Sequence, residues 1–445
     1  MKKDLTQGPI LKSMLLFSLP MILGNLLQQC YNIADTLIVG RFLGRNALAA
    51  VGSSFSLMTF ITSIILGLSM GSGTLFSMRY GERNERGLRE AASSSFVVIA
   101  MSSVLLTIAS YLALDSLKGL LNVPDEVWPD MRDYLLVIFS GILATFLYNW
   151  FSSFLRALGN SVAPLVFLAV STVLNILLDL FFVVTLERGT KGAAEATVIS
   201  QYLSGLLIAV YALATTKECR IDLRSISRRS IKEVTGFSYL TSLQQSVMNL
   251  GILMVQGRVN WFGTDVMAAF ASGVKIDAFA YMPVQDYGNA FSTFVAQNYG
   301  AGRKDRIGKG MKIAFVSSAL FSLAISILVF VCAPLLMGIF VDAGETEVIA
   351  IGAQYLRIEG AFYIGIGCLF LFYGLYRALG RPGMSVVLTI VSLGTRVVLS
   401  YTLSAIPQIG VLGIWWSIPI GWALADILGG LYFAFRRKDL LKGME

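Results

Sequence analysis

Two carboxylates stand out by their isolation. Between Lys12 and Arg41 the one acidic or basic side chain is Asp35, and between Arg156 and Glu187 it is Asp179. The segments around them are predominantly apolar and otherwise uncharged, so both belong at bilayer depth. A charge there is costly and usually marks a transport pathway or a coupling site. Asn175 precedes Asp179 by four residues, which puts the amide one helical turn away on the same face. With 1.5 Å of rise per residue, Asp35 lies about 7–8 Å inside the apolar end near Gly40, and Asp179 about 10 Å inside the end near Leu186. Thr197, in the next apolar segment, falls at a similar depth. Asp35, Asn175, Asp179 and Thr197 thus predict an oxygen-lined pocket. Taking carboxyls out of water disfavours the charged form, and two of them side by side disfavour it further. Such a pocket can load and release a proton, or hold a sodium ion.

The elements that position these residues follow from composition. The chain has 445 residues, of which 56% are hydrophobic and 14% charged, with a mean hydropathy of +0.71. Soluble domains carry about 25% charged residues. That excludes a cytosolic enzyme, a nucleic-acid binder and a disordered chain. Histidine is absent, which removes the usual general base and the commonest metal ligand. Cys30, Cys219, Cys332 and Cys368 form no CxxC, so neither a disulfide framework nor a metal site is expected. Apolar runs near 13–40, 48–78, 92–114, 133–155, 162–186, 192–214, 236–257, 267–298, 312–340, 348–376, 384–405 and 411–435 predict twelve transmembrane helices. The first run is too long for a signal-peptide core and is kept as a span. Long apolar windows favour helices over barrel strands, which would alternate with period two. With an even span count the termini share a side; that side carries 25 Lys/Arg and the other seven. The positive-inside rule then places both termini in the cytoplasm of a multi-pass cell-membrane protein. It also accounts for the net charge of +8 without nucleic acid.

The halves repeat each other. At an offset of 219, Gly44, Ala49, Ala50, Tyr80 and Gly81 fall on Gly263, Ala268, Ala269, Tyr299 and Gly300. At an offset of 221, Tyr134-Leu135 falls on Tyr355-Leu356, Arg156–Gly159 (Arg-Ala-Leu-Gly) on Arg377–Gly380, and Gly192 on Gly413. A six-helix unit duplicated in tandem is expected: an N-terminal lobe at 1–216, a cytoplasmic connector at 217–233 and a C-terminal lobe at 234–445. Six is even, so the copies run the same way through the bilayer, related by a pseudo-two-fold axis along the membrane normal. Two such lobes facing a central cleft suit alternating access. The acid pocket is not duplicated, because Asp35, Asn175 and Asp179 correspond to Met254, Arg396 and Ser400.

Other polar residues are candidates for the cleft: Gln28 and Tyr31 on the face of Asp35, Asn149 in span four and Asp286 in span eight. Arg396 needs a partner, for which Asp286 is one choice. Glu359 is placed near the outer start of span ten, and Asp277 near the outer end of span eight. Asp426 and Glu195 are read as structural. Gly67, Gly71 and Gly73 suggest close helix packing, and Pro20 permits the first helix to bend.

The doubled six-helix pattern, Pro20 and Asp35 on the first span, the Asn175-x-x-x-Asp179 pair, Thr197 and the two Arg-Ala-Leu-Gly segments together resemble the multidrug and toxic compound extrusion (MATE) family. The resemblance covers nearly the whole chain. It implies a non-enzymatic, ion-coupled antiporter that exports cationic, amphipathic drugs, acts as a monomer in membrane lipid and needs no cofactor beyond a coupling H+ or Na+. It makes Asp35, Asn175, Asp179 and Thr197 the proton or cation site. Span seven lacks an acid, which departs from the NorM-like pattern toward the DinF-like branch and favours protons. The alternative is a flippase for lipid-linked precursors from a related superfamily. A membrane-embedded prenyl transferase would need a DDxxD-like acid cluster, which the sequence lacks.

Overall fold

The computed structural model describes residues 4–121, 123–342 and 344–442. They form helices α1 (Ile10–Phe42), α2 (Arg45–Gly81), α3 (Glu85–Leu120), α4 (Trp128–Ile138), α5 (Ile142–Ala157), α6 (Val162–Asp179), α7 (Gly189–Thr215), α8 (Arg228–Val259), α9 (Thr264–Gly300), α10 (Lys304–Met337), α11 (Thr346–Gly360), α12 (Tyr363–Ala378), α13 (Pro382–Leu403) and α14 (Leu412–Lys442). The protein is an all-α integral membrane protein. With α4–α5 and α11–α12 each taken as one broken span, the helices match the twelve expected. Among the described residues nine are long and apolar enough to cross a membrane, and α11–α12, bent by 52°, makes a tenth. The remaining two, α8 and α9, are the more polar ones. Large apolar side chains such as Leu112 and Phe435 face outward, 81% and 82% exposed, as a lipid solvent demands.

Backbone geometry carries the internal repeat. Gly44 and Gly263 enter α2 and α9 at φ 84° and 95°, a left-handed conformation open to glycine at little cost. The glycines of the Arg-Ala-Leu-Gly segments, Gly159 and Gly380, close α5 and α12 at φ 83° and 73°. Behind them the Asn160 N–H reaches the Leu155 carbonyl at 2.9 Å, and the Arg381 N–H reaches Tyr376 at 2.8 Å. This is the Schellman closure, so these glycines are helix terminators. The break at Phe139–Gly141 between α4 and α5 lies, at an offset of 221, on the break between α11 and α12.

The chain packs as two units, the first chiefly Leu19–Ser242 and the second Leu5–Ser18 with Leu243–Glu445. The boundary differs from the sequence partition in running through α1 and α8, and the whole segment 217–233 goes with the first unit. The reason lies in local contacts. A Cβ on Gly67 would come within 2.4 Å of the Ser242 Cα, and one on Gly71 within 2.4 Å of the Phe237 carbonyl oxygen, so α2 and the first half of α8 touch backbone to backbone. Ser72 and Ser238 share a hydrogen bond of 2.7 Å across this seam, and Arg79 binds Glu233 at 2.7 Å. The Asp222 N–H donates to Ser93 Oγ at 2.9 Å, tying the connector to α3. In the second unit, Leu5 is fully buried; its N–H donates to Gln297 and its carbonyl accepts from Asn298 and Arg306, at 3.1–3.2 Å.

The first unit is centred on Trp150, stacked on Phe154 at 5.6 Å with its indole N–H on Ser95 at 3.0 Å. In the second, Trp415 stacks on Phe270 at 5.6 Å and meets Tyr355 edge-on at 4.9 Å.

Candidate ion site

Three helices of the first unit bring the residues singled out in the sequence close together. α1 supplies Asp35 and Tyr31, α6 supplies Asn175 and Asp179, and α7 supplies Thr197. Asp35 is 8% exposed and Asp179 fully buried. Tyr31 Oη and Thr197 Oγ1 share a hydrogen bond of 3.2 Å. In the amide orientation that its neighbours dictate, Asn175 donates to Asp179 Oδ2 at 2.9 Å and accepts from the Thr197 backbone N–H at 3.3 Å. One oxygen on each carboxyl, Asp35 Oδ1 and Asp179 Oδ1, is buried with no hydrogen-bond partner among the described residues. The two acids are near enough for the charge on Asp35 to act on Asp179.

Local sequence explains the arrangement. Asp179 ends the α-helical part of its span, and Leu180–Thr185 continues as a π-helical turn. Such wide turns recur at functional sites because they break the regular backbone ladder. Small residues on α7 bring it close: a Cβ on Gly205 would lie 3.1 Å from Leu147 of α5, and on Gly192 3.1 Å from Phe182 in the π-helical turn.

Two tyrosines join the pocket beyond the sequence expectation. Tyr31, a candidate for the substrate cleft, links α1 to α7. Tyr134 on α4 is buried and feels the charges of Asp35 and Asp179. Its signal was present in the Tyr134-Leu135 pair that recurs as Tyr355-Leu356. The other cleft candidates are scattered. Gln28 is exposed on α1, Asn149 turns back on its own helix to donate to the Thr145 carbonyl at 2.8 Å, and Asp286 is buried in α9 of the second unit. Pro20 lies inside α1, two residues from the point at which that helix passes from one packed unit to the other.

The second unit corrects three expectations. Arg396 faces Asp277 and Glu359. Glu359 sits in the last turn of α11, beside the break in its span and 4% exposed, well inside the apolar stretch. Asp277 is 2% exposed and accepts from the Tyr363 hydroxyl. Linear spacing missed this cluster because its members come from α9, α11, α12 and α13. Asp35 and Asp179 are each surrounded by apolar sequence, whereas Asp277 is masked by Lys275 two residues away. Among the described residues no group of three His, Cys, Asp or Glu side chains is placed to hold a metal ion.

The chain is similar to known proteins over nearly its whole length. The pattern of the MatE family matches twice, over residues 20–181 and 238–402, one match to each half of the repeat. The probable multidrug resistance protein YpnP of Bacillus subtilis is 30% identical over 99% of this chain and 98% of its own length. Among solved structures, an outward-facing multidrug resistance MATE transporter of the MOP superfamily superposes with a TM-score of 0.91 at 26% identity, covering 98% of each chain. A MOP superfamily transporter from Pyrococcus furiosus, described by a reversed polarity of its binding pocket, gives the same TM-score, identity and coverage. These are transporters rather than enzymes, and the twelve-helix, two-lobe architecture is common to them. The chain belongs to the multidrug and toxic compound extrusion (MATE) family.

Proposed function

We propose that the protein is a secondary active exporter in the cell membrane, carrying lipophilic cations outward in exchange for protons, with both termini in the cytoplasm. The observation that carries this reading is the pair of buried carboxyls on α1 and α6, each with an oxygen left open, with Asp179 linked to α7 through Asn175 and α1 linked to α7 by the Tyr31–Thr197 hydrogen bond. An antiporter needs a site that holds its ion in one facing state and releases it in the other. A carboxyl pair shared among three helices links ionisation to helix position. Alternating access by the two lobes is the motion this reading requires. The acids suit cationic cargo better than the pyrophosphate headgroup of a lipid-linked precursor. The absence of an acid in the membrane part of α8 supports the DinF-like over the NorM-like branch and H+ over Na+.

Purified protein in proteoliposomes tests this directly. An imposed proton gradient should drive ethidium movement against its concentration, and an imposed sodium gradient at constant pH should not. Drive by sodium alone would make the same pocket a Na+ site. Movement of anionic lipid-linked sugars without ethidium transport would favour the flippase reading.

A further inference from the structure

The two halves of the repeat differ where α14 finishes in the second unit. A cavity of about 320 Å³ there is lined by Arg381, Tyr432, Arg436, Asp439 and Leu440. At the repeat offset of 221, Arg381, Tyr432 and Arg436 correspond to Asn160, Tyr211 and Thr215 in the first unit. In the first unit these residues bond to one another and to nearby backbone. The Asn160 amide donates to the Tyr211 hydroxyl at 3.5 Å and its oxygen accepts from the Ala163 N–H at 3.1 Å, while Thr215 donates to the Tyr211 carbonyl at 2.7 Å. The second unit keeps the tyrosine and exchanges the amide and the hydroxyl for two guanidiniums. An arginine side chain has donors only and cannot cap a helix start, so the Met384 N–H turns to the Arg381 carbonyl at 2.9 Å.

The lining has the chemistry of an anion site. Arg381 and Arg436 are exposed, and Arg436 pairs with Asp439 at 3.0 Å across one helical turn. Exposed pairs of this kind hold weakly, and one carboxylate leaves two guanidiniums with an excess of positive charge. Arg381 is also the cap residue of α13, where the helix dipole adds partial positive charge. Guanidinium donors match phosphate oxygens in a forked geometry. Tyr432 packs edge-on against Tyr376 at 5.5 Å, which holds its ring beside the cavity, and the buried Leu440 supplies an apolar wall. The adjoining face of α14 is apolar and open to lipid. Ile427, Leu431 and Phe435, spaced four residues apart, are 59%, 50% and 82% exposed. Phosphate-matching donors at the end of a lipid-facing stripe suit a molecule with a charged phosphate and a long apolar tail.

We propose that this cavity binds the headgroup phosphate of an anionic phospholipid through Arg381 and Arg436, with the acyl chains lying along α14. Such binding needs neither cargo nor an ion gradient, so its test stands apart from the export reading. Full-length protein in detergent is titrated with tail-labelled phosphatidylglycerol and, separately, with tail-labelled phosphatidylcholine. Phosphatidylglycerol should bind, and Arg381→Asn/Arg436→Thr, which installs the residues of the first unit, should weaken it by about tenfold or more. Phosphatidylcholine should bind less tightly and be unaffected by that change. Arg381→Gln alone alters one exposed side chain and should give a smaller loss in the same direction. Arg437→Gln/Lys438→Gln, which removes as much charge from outside the cavity lining, should leave binding intact. Unlabelled phosphatidylglycerol should displace the label, and millimolar inorganic phosphate should not. Displacement by inorganic phosphate would make the occupant a free anion, and an equal loss in Arg437→Gln/Lys438→Gln would reduce the effect to general surface charge. Either result, or unchanged affinity in monodisperse Arg381→Asn/Arg436→Thr, would overturn the proposal.

Discussion

Tyr31 on α1 and Thr197 on α7 meet through their hydroxyls at 3.2 Å, and this contact fastens the first helix to the helix that also orients Asn175. The bond is neutral and part-buried, so its net worth is about 0.5–1.5 kcal/mol. Tyr31→Phe should therefore weaken export by no more than about tenfold, a factor that corresponds to 1.4 kcal/mol. Thr197→Ala loses the hydroxyl yet leaves its backbone N–H on Asn175, so it should behave similarly. Dye-efflux rates at matched expression check both. A complete loss in Tyr31→Phe would mean that the phenol does more than tether the helix.

Pro20 removes one backbone hydrogen bond from the middle of α1, close to the place where this helix changes packing unit. Pro20→Ala should restore the bond and stiffen the helix. The expected result is unchanged or raised thermal stability with slower gradient-driven export. Unaltered export would make the proline a static feature.

Gly67 and Gly71 have no room for any side chain, since the first atom would collide with α8 backbone at 2.4 Å. Overpacking of a core costs about 1–3 kcal/mol where side chains can yield. Here the obstacle is backbone, so Gly71→Val should exceed that range and lower the yield of monodisperse protein in detergent. Gly52, with nothing within 4 Å of a built Cβ, is the control, and Gly52→Ala should express normally.

In the proposed orientation the basic stretch 217–233 lies in the cytoplasm. A cysteine at position 225, in an otherwise cysteine-free chain, should resist an impermeant maleimide added to intact cells and react once the membrane is opened. A cysteine at position 126, in the acidic loop between α3 and α4, should show the reverse. Labelling of position 225 from outside would invert the assignment.

Much of this was legible in the sequence because the bilayer imposes a simple code. Apolar windows predict the helices, and a lone Asp35 or Asp179 within one stands out against them. The Arg-Ala-Leu-Gly pair gave the repeat, and the structure shows its glycines to be helix terminators. Less visible were features set by packing between distant segments. Nothing in the spacing of Leu5 foretells its bonds to Gln297, Asn298 and Arg306, nor the passage of α8 from one unit to the other at Ser242. The cluster of Asp277, Glu359 and Arg396 was misplaced because charged neighbours in sequence suggest a water-facing helix end, whereas the break between α11 and α12 folds Glu359 inward.

The central claim is that Asp35 and Asp179 couple ion movement to export. Each elementary charge that crosses the membrane is worth about 2.3 kcal/mol per 100 mV, and antiport can use that energy only through a group that binds and releases the ion. Asparagine keeps the shape of aspartate and cannot ionise, so Asp35→Asn/Asp179→Asn should fold normally. The most direct measurement is proton-gradient-driven ethidium transport in proteoliposomes containing this double variant, beside Ser400→Asn at the position equivalent to Asp179. The account predicts loss of uphill transport in the double variant and its retention in Ser400→Asn. Full uphill transport by the double variant would contradict the account and remove this pocket from the mechanism.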